Sequence, residues 1–151
     1  MIDAFRRVRW SNRLLTSDIA RQMIDAARSA RLRAHAPYSN FRVGAALLDE
    51  QGRIHAGCNI ENAAYPQGLC AEAAALAHLV LAGGTRVLAA AVVGDAPLGV
   101  TPCGGCRQKL REFASDDAVV LVADLQAERA RYTLGELLPA SFGPQHLGRP
   151  P

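Results

Sequence analysis

Three cysteines and one glutamate are the residues in this sequence whose types and spacing suit metal chemistry. Glu72 follows Cys70 by two positions, and Cys103 and Cys106 form a C-x-x-C pair directly after Pro102. Catalytic zinc sites typically keep three protein ligands and leave the fourth position to water or substrate. Three thiolates would meet that need, and a glutamate beside the metal could transfer protons. The pattern therefore predicts an open, catalytic zinc site with Glu72 as its proton-transfer group.

Both cysteine segments are expected at the beginnings of helices. The sequence predicts one helix from Ala71 to about Ala82 and another from Cys103 to about Ala114. Unpaired backbone N–H groups and the positive end of the helix dipole lie at a helix N-terminus, and such an environment lowers the pKa of a thiol. Two helix N-termini meeting at one metal would therefore favour thiolates and spread their negative charge.

Two alternative interpretations of the cysteines compete with the open site. Cys103 and Cys106 have the spacing of a thioredoxin-like redox pair, but this leaves Cys70 and Glu72 unexplained. Cys58 could instead complete a closed four-cysteine structural zinc site, and the chain would then be a non-catalytic, zinc-stabilised binding protein. That arrangement gives Glu72 no role, and a free buried cysteine is more often a small hydrophobic residue than a ligand.

The hydrophobic pattern predicts the elements that would position these residues. Ile19, Met23 and Ala27 recur at helical spacing, whereas Arg86–Val93 is a continuous apolar run typical of a strand covered on both faces. The predicted helices are Thr16–Arg33, Ala71–Ala82, Cys103–Ala114 and Thr133–Leu138, and the predicted strands are Phe41–Leu48, Arg53–Cys58, Arg86–Val93 and Ala118–Ala123. This order predicts an α/β fold with a mixed sheet and helices on its faces.

Length, charge and cysteine content limit the classes of protein to consider. The 151 residues fit one domain, with residues 1–16 as an N-terminal extension, 17–147 as the domain and 148–151 as a tail. The net charge of +3 is weak and spread along the chain, so it gives no indication of nucleic-acid binding. No stretch reaches the ~20 apolar residues of a membrane span. Four cysteines without a secretory signal are typical of a reducing compartment, and we expect the cytoplasm.

A polar loop before the first cysteine offers a second set of functional candidates. Asn59 and Glu61 alternate, so in an extended segment both side chains point to the same side. An amide beside a carboxylate can hold sugar hydroxyl groups. The other interpretation is that these residues only cap a loop or a turn.

Five segments, in this order along the chain, resemble the small homo-oligomeric cytidine deaminases of pyrimidine salvage. They are YSNFRVGAA at 38–46, GCNIENA at 57–63, CAE at 70–72, PCGGCRQ at 102–108 and LLPASFG at 137–143. The resemblance covers about residues 17–147. It implies a three-layer α/β/α fold with a central mixed sheet of about five strands, usually assembled as a homotetramer. It also implies one Zn²⁺ per chain, ligated by Cys70, Cys103 and Cys106, with Glu72 as the proton shuttle.

The same resemblance implies a reaction and a set of substrate contacts. The reaction is hydrolytic deamination of cytidine and 2′-deoxycytidine to uridine and 2′-deoxyuridine, with release of ammonia; the substrate is a free nucleoside, with no nucleic-acid or membrane partner. The implied substrate contacts are Phe41 against the pyrimidine, Asn59 and Glu61 at the ribose 3′-hydroxyl, the backbone near Ala71 at the base, Tyr65 lining the pocket, and Phe142 closing the pocket of a neighbouring subunit. A related deaminase acting on a modified cytosine nucleoside, such as blasticidin S, is the alternative.

One position departs from the family pattern. Many tetrameric members carry an arginine directly after the catalytic glutamate, where it offsets thiolate charge, but this sequence has Ala73. We therefore expect the charge to be offset by the helix dipoles or by Arg107.

Overall fold

A computed structural model describes residues 15–149 of the chain. Residues 1–14 of the expected N-terminal extension, including Trp10, and residues 150–151 lie outside the described part. The helices are α1 (Ser17–Arg31), α2 (Ala71–Leu81), α3 (Gly104–Phe113) and α4 (Leu134–Leu137), and the strands are β1 (Val43–Asp49), β2 (Ile54–Cys58), β3 (Val87–Gly94), β4 (Val119–Ala123) and β5 (Glu128–Thr133). Short 3₁₀ helices cover Tyr65–Gln67 and Pro144–Leu147. Within the described residues, no helix has the length and apolar character needed to cross a bilayer.

The five strands form one mixed sheet in the order β2-β1-β3-β4-β5. β3 and β4 are parallel, and the other neighbouring pairs are antiparallel. β3 is buried along its whole length, as its continuous apolar sequence predicts. The helix α3 lies in the crossover between the two parallel strands, which is how a parallel pair is usually connected. The prediction of a mixed sheet of about five strands is confirmed.

Helices cover both faces of the sheet and so make three layers. Alternate residues of β1 show the division: Ala46 and Leu48 pack in the core beneath α1, whereas Ala45 and Leu47 pack in the core beneath α2, α3 and α4. Leu47 and Leu48 are fully buried, and burying a leucine side chain stabilises a fold by about 1.5–3 kcal/mol. The predicted α/β/α arrangement is therefore confirmed, and among residues 15–149 α1 is the helix that covers one of the two faces.

Two glycines allow helices to lie directly on the sheet. A Cβ atom at Gly44 would lie 1.9 Å from the carbonyl oxygen of Ala27 in α1. A Cβ atom at Gly57 would lie 2.3 Å from the backbone nitrogen of Ala75 and 2.6 Å from the carbonyl oxygen of Ala71, both in α2. Real side chains do not tolerate such distances, so Gly57 sets how closely α2 approaches β2.

A buried carboxylate ties the β1–β2 hairpin to the end of α2. The Oδ1 atom of Asp49 accepts hydrogen bonds from the backbone N–H groups of Gln51 (2.9 Å) and Arg53 (2.8 Å), and its Oδ2 atom accepts from Arg53 Nε (2.7 Å) and His55 Nε2 (2.8 Å). Burial would raise the pKa of Asp49, but these hydrogen bonds together outweigh it and lower the pKa to about 2. Arg53 also donates to the carbonyl of Ala82 after α2 (2.9 Å).

The structure corrects the sequence interpretation at the C-terminal end. The residue pattern does not predict the strand β5 (Glu128–Thr133), because four of its six residues are exposed and three of them are charged. It is an edge strand that pairs only with β4 in the described sheet. The predicted helix Thr133–Leu138 is shorter, because Thr133 is its N-cap and forms a capping box with Glu136.

Candidate zinc centre

Two of the three predicted zinc ligands cap helices. Cys70 is the N-cap of α2 and Cys103 is the N-cap of α3, and both have extended backbone angles (φ −74° and ψ 154°; φ −64° and ψ 164°). Cys106 lies in the first turn of α3 and is buried. The prediction that both cysteine segments stand at helix N-termini is confirmed, and the extended backbone of Cys70 lets it face the same helix tip as Glu72.

The three sulfur atoms have the spacing of a tetrahedral zinc site. The ligand atoms of Cys70, Cys103 and Cys106 all lie within 4.8 Å of one another, and the Sγ atoms of Cys70 and Cys103 are 3.8 Å apart. With Zn–S bonds of about 2.3 Å, a tetrahedral centre has S···S edges of about 3.8 Å. The geometry and the soft sulfur donors therefore fit zinc, with a fourth position left open.

Cys58 lies outside this cluster. In the described residues, the sulfur cluster contains Cys70, Cys103 and Cys106, whereas Cys58 ends β2, where it pairs with Gly44 of β1. The closed four-cysteine site that would have made the chain a structural zinc protein is therefore not supported. The redox-pair interpretation is also weakened, because Cys70 is as much a part of the cluster as the C-x-x-C pair.

Glu72 is buried beside the thiols, as its predicted role requires. Glu72 is only 5% exposed. Its Oε2 atom accepts a hydrogen bond from Cys106 Sγ at 3.3 Å. Burial raises the pKa of Glu72, although the hydrogen bond from Cys106 and the charge of Lys109 act in the opposite direction. A carboxyl group with a raised pKa is suited to take up and release a proton near neutral pH.

The pKa values of the three thiols are shifted by burial and by the charged groups around them. Burial and the neighbouring Cys103 raise the pKa of Cys70, and burial and Glu72 raise the pKa of Cys106. Burial also acts on Cys103, but hydrogen bonds from Cys106 and Cys70 outweigh it and lower the pKa of Cys103. At Cys70 and Cys106, burial and the neighbouring negative groups therefore outweigh any lowering of the pKa by the helix N-termini. Three thiolates this close need a divalent cation among them.

Arg107, one of the two groups predicted to offset the thiolate charge, forms its hydrogen bonds elsewhere. Its Nε atom donates to the carbonyl of Pro102 (2.7 Å), its Nη1 atom to the carbonyl of Leu137 (2.8 Å) and its Nη2 atom to Thr101 Oγ1 (3.1 Å). The guanidinium thus fixes the loop ahead of α3 and is not directed at the thiols. A different basic group, the Nζ atom of Lys109, lies 3.6 Å from where a Cβ atom of residue 105 would stand.

The loop residues Asn59 and Glu61 are brought next to the metal helix by backbone pairing. Ile60 and Leu69 exchange both backbone hydrogen bonds, at 2.9 and 2.8 Å, so Asn59 stands opposite Cys70 in this short antiparallel bridge. On its other side, residue 60 pairs with His35. Chain segments that are distant in sequence therefore meet at the N-terminus of α2.

Asn59 and Glu61 both point toward the segment 38–43, which confirms that they share one side. Asn59 Oδ1 accepts from the backbone N–H of Val43 (2.8 Å), and its Nδ2 donates to the carbonyl of Phe41 (2.9 Å). Glu61 Oε2 accepts from the backbone N–H groups of Tyr38 (2.9 Å) and Ser39 (3.3 Å), and Ser39 Oγ donates to Oε1. These contacts organise the loop, as the simpler interpretation held.

A surface cleft of about 370 Å³ lies beside these residues. Its lining residues are Tyr38, Ser39, Glu61, Asn62, Tyr65 and Gly68. The rings of Tyr38 and Tyr65 stand 5.8 Å apart and tilted by 59°. The family resemblance implies Tyr65 as a lining residue but not Tyr38 or Ser39, although both of these precede Phe41 in the YSNF motif. A cleft of about 410 Å³ between α1 and β5 contains none of the predicted site residues, so volume alone does not identify the site.

The remaining predicted contacts lie in different surroundings. Phe41 is partly exposed and follows Asn40, whose positive φ of 57° makes the chain turn there. Ala71 is fully buried at the start of α2. Phe142 is 59% exposed and stacks on His146, with ring centroids 4.9 Å apart.

The fold and the site together define a zinc enzyme of the type in which cysteines at two helix N-termini hold the metal beside a buried glutamate. Comparison with known proteins agrees. The family described as the cytidine and deoxycytidylate deaminase zinc-binding region matches residues 17–123. The cytidine deaminase of Sporosarcina psychrophila is 42% identical over 126 residues, which cover 83% of this chain and 93% of the relative. That of Halalkalibacterium halodurans is 46% identical, covering 81% of this chain and 93% of the relative.

Solved structures give the same result. A crystal structure of cytidine deaminase from Burkholderia pseudomallei superposes with a TM-score of 0.77 at 41% identity, covering 81% of this chain and 98% of the other. The cytidine deaminase structure from Mycobacterium tuberculosis gives a TM-score of 0.73 at 39% identity, with coverages of 82% and 97%. The chain therefore belongs to the zinc-dependent cytidine deaminase family.

Proposed function

We propose that this enzyme hydrolyses cytidine and 2′-deoxycytidine to uridine and 2′-deoxyuridine, releasing ammonia in pyrimidine salvage. The observation that carries the proposal is the meeting of the three sulfur atoms with the buried carboxylate of Glu72, 3.3 Å from Cys106 Sγ. The family match over residues 17–123 supports the same reaction.

Glu72 is the group that moves protons in the proposed mechanism. Zinc, when bound, lowers the pKa of water from 15.7 towards ~7. The Glu72 carboxylate takes a proton from the attacking water and delivers it to ring nitrogen N3, which makes C4 more electrophilic. The water oxygen adds to C4, and Glu72 then moves the remaining proton of that new hydroxyl group to the exocyclic amino group. The C4–N bond breaks, ammonia leaves and a carbonyl group remains at C4. The burial of Glu72 supports this assignment because its raised pKa suits both uptake and release.

The loop beside the metal helix is proposed to hold the sugar. The Nδ2 group of Asn59 has two N–H bonds, and Phe41 accepts one of them; the other is proposed for the 3′-hydroxyl. The hydrogen bond from Ser39, with those from the backbone of residues 38–39, lowers the pKa of Glu61, so Glu61 stays ionised and can accept from the same hydroxyl. A 3′-phosphate would be repelled, and we therefore propose free nucleosides rather than nucleic acid as substrates.

The base is proposed to lie between the loop and the start of α2. Phe41 would pack against the pyrimidine ring, and the backbone at Ala71 would contact its polar edge. Tyr65, an exposed ring lining the 370 Å³ cleft, would close the pocket from the side. Offset or edge contacts between aromatic rings add about 0.5–1.5 kcal/mol beyond the area they bury.

The pocket is proposed to be completed by a neighbouring subunit of a homotetramer. Phe142 is 59% exposed in the single chain, and an exposed aromatic ring is a typical anchor at an interface. Ala73, Ala77, Val80 and Leu81 form an apolar stripe along α2, and the last two are 50% and 86% exposed. Such a stripe suits contact between subunits. The four free cysteines support a reducing compartment, proposed as the cytoplasm.

The experiment that tests the function compares Glu72→Gln with the wild-type enzyme. Loss of cytidine absorbance and release of ammonia are followed at a measured zinc content. The wild type is expected to turn over cytidine at about one zinc per chain, and Glu72→Gln to keep zinc but lose activity by about 10²–10⁴-fold. Glu112→Gln, at an exposed position on α3, is the matched control and should behave as wild type.

Two results would contradict the proposal. Turnover by Glu72→Gln near the wild-type rate would remove the proton-shuttle role. Efficient deamination of deoxycytidine monophosphate or single-stranded DNA would remove the preference for free nucleosides. In a substrate panel, activity confined to blasticidin S would replace cytidine with a modified nucleoside as the substrate.

A further inference from the structure

Polar side chains on one face of α3 hold the segment that carries Phe142. Residues 137–143 are called the C-terminal segment below. Gln108 Nε2 donates to the carbonyl of Phe142 at 2.9 Å, and Arg111 Nε donates to Ser141 Oγ at 2.9 Å. The helix that provides two zinc ligands at its beginning therefore also fixes the backbone around Phe142.

Arg111 is the centre of this contact. It is only 5% exposed, its Nη1 atom donates to the carbonyl of Ala114 (3.0 Å), and its Nε atom lies 3.5 Å from Asp116 Oδ1. Burying a guanidinium group lowers the stability of a fold unless the group is paired and hydrogen-bonded. These contacts meet that need and fix the orientation of the Arg111 guanidinium. Gly143 lies flat against it, since a Cβ atom there would stand 3.1 Å from Arg111 Cζ.

The C-terminal segment has a backbone conformation that needs external support. Ala140 has a φ of 50°, in the left-handed region that non-glycine residues rarely adopt. Such residues persist where the surrounding structure holds them. Arg107 fixes the carbonyl of Leu137 before Ala140, and Arg111 fixes Ser141 after it. The result is an exposed phenyl ring on a firmly held backbone.

We propose that Arg111 is a positioning residue for the active site of a neighbouring subunit. It holds the C-terminal segment so that Phe142, which stacks on His146 of its own chain and is 59% exposed, presents its free side to the pocket of the next one. This inference rests on the proposed homotetramer in which Phe142 completes a neighbour's pocket. It predicts that an Arg111 variant impairs the neighbour's site while its own zinc ligands stay intact.

Two variants weaken the contact without removing the fold. Arg111→Lys keeps the charge but loses the planar fork of donors, and Ser141→Ala removes only the acceptor on the C-terminal segment. Each is expected to lower kcat/KM about tenfold, chiefly through KM, because an imperfectly closed pocket binds substrate less well. Zinc content and tetramer formation should not change. Arg131→Lys is the control, because this arginine is exposed and pairs with Glu128 on β5.

Hybrid tetramers separate an effect on the neighbour from an effect on the same chain. Arg111→Lys subunits, which keep Glu72, are co-expressed with Glu72→Gln subunits, which keep Arg111, under two different affinity tags, and tetramers carrying both are purified. With random mixing, about half of the sites with an intact Glu72 receive a well-positioned Phe142 from a Glu72→Gln subunit. The activity per intact Glu72 is therefore expected to rise several-fold above that of the Arg111→Lys homotetramer.

A parallel hybrid of Phe142→Ala with Glu72→Gln distinguishes failure of this inference from failure of the proposed assembly. Rescue of Phe142→Ala without rescue of Arg111→Lys would overturn the role of Arg111 and leave the shared pocket standing. Absence of rescue in both hybrids would overturn the shared pocket itself. Wild-type kcat/KM in both Arg111→Lys and Ser141→Ala, or loss of zinc or dissociation in either, would also overturn the inference.

Discussion

A methyl group at Gly57 is expected to damage the zinc centre from the opposite side of α2. Gly57 lies in β2, and a Cβ atom there would stand 2.3 Å from the backbone nitrogen of Ala75. Ordinary contact begins at about 3.4 Å, so in Gly57→Ala the helix must retreat from the sheet by about 1 Å. The two atoms nearest to the new Cβ, the nitrogen of Ala75 and the carbonyl oxygen of Ala71, both belong to the backbone of α2. No change of rotamer can therefore relieve the contact.

The expected loss of activity in Gly57→Ala follows from the positions of Cys70 and Glu72 at the start of α2. Cys70 caps this helix, and its Sγ atom lies 3.8 Å from Cys103 Sγ on α3, which already matches a tetrahedral edge. A shift of α2 by about 1 Å would change the distance between the Sγ atoms of Cys70 and Cys103 and would also move Glu72. A misplacement of this size can lower a rate about 10²-fold. Overpacking also destabilises a fold by about 1–3 kcal/mol.

The assay measures zinc per chain, kcat/KM for cytidine and the urea midpoint for Gly57→Ala and for a control, Gly105→Ala. A Cβ atom at Gly105 would meet only Lys109 Nζ, at an ordinary 3.6 Å, and alanine favours a helix over glycine by about 0.8–1.0 kcal/mol. We therefore expect a methyl group between the metal-binding cysteines to be harmless, and one in a strand behind them to be damaging. Wild-type zinc content and activity in Gly57→Ala would refute the reasoning.

Three further predictions concern stability and the metal. Asp49→Asn should lower the free energy of unfolding at pH 7 by about 2 kcal/mol, because the pKa of about 2 lies nearly two units below that of the unfolded chain. Since this pKa is depressed, the contribution is complete above pH ~4 and lost as the pH falls towards ~2, so urea unfolding curves of variant and wild type should converge there; a constant difference would contradict the assignment. Cys58→Ala should retain one zinc per chain by metal analysis, and loss of zinc would restore the four-cysteine site. Removal of zinc with a chelator should lower the thermal midpoint and abolish deamination, both restored by added zinc; activity in the metal-free protein would contradict the centre.

The layers of the fold could be predicted because hydrophobic periodicity determines which face of each element is buried. The runs that became β1, β3 and β4 are apolar enough to be recognised without a partner. The strand β5 could not be recognised this way, since Glu128–Thr133 is an edge with charged side chains in solvent. Its strand conformation comes from pairing with β4, which is a tertiary effect.

The residues of the candidate site could also be predicted only in part from the sequence. The three cysteines and Glu72 could be predicted because ligand type and spacing are visible in sequence, and helix starts place them. The direction of an arginine could not be predicted, because it depends on which acceptors the fold brings near. Arg107 is one of the two groups predicted to offset the thiolate charge, but its guanidinium donates to three oxygen atoms, those of Thr101, Pro102 and Leu137.

The charge of the centre gives a reason why the proposed substrate is a neutral nucleoside. Three thiolates and the carboxylate of Glu72 outweigh the charge of one Zn²⁺ by two units, and two helix N-termini contribute roughly +0.5 each, which leaves about one negative charge. Lys109 lies near the cluster but is exposed to solvent, so screening by solvent leaves it to offset only part of this negative charge. A pyrimidine that accepts a proton at N3 becomes cationic, and negative surroundings stabilise it, whereas a phosphate held at Glu61 would be repelled. The same charges that require zinc therefore also favour ring protonation.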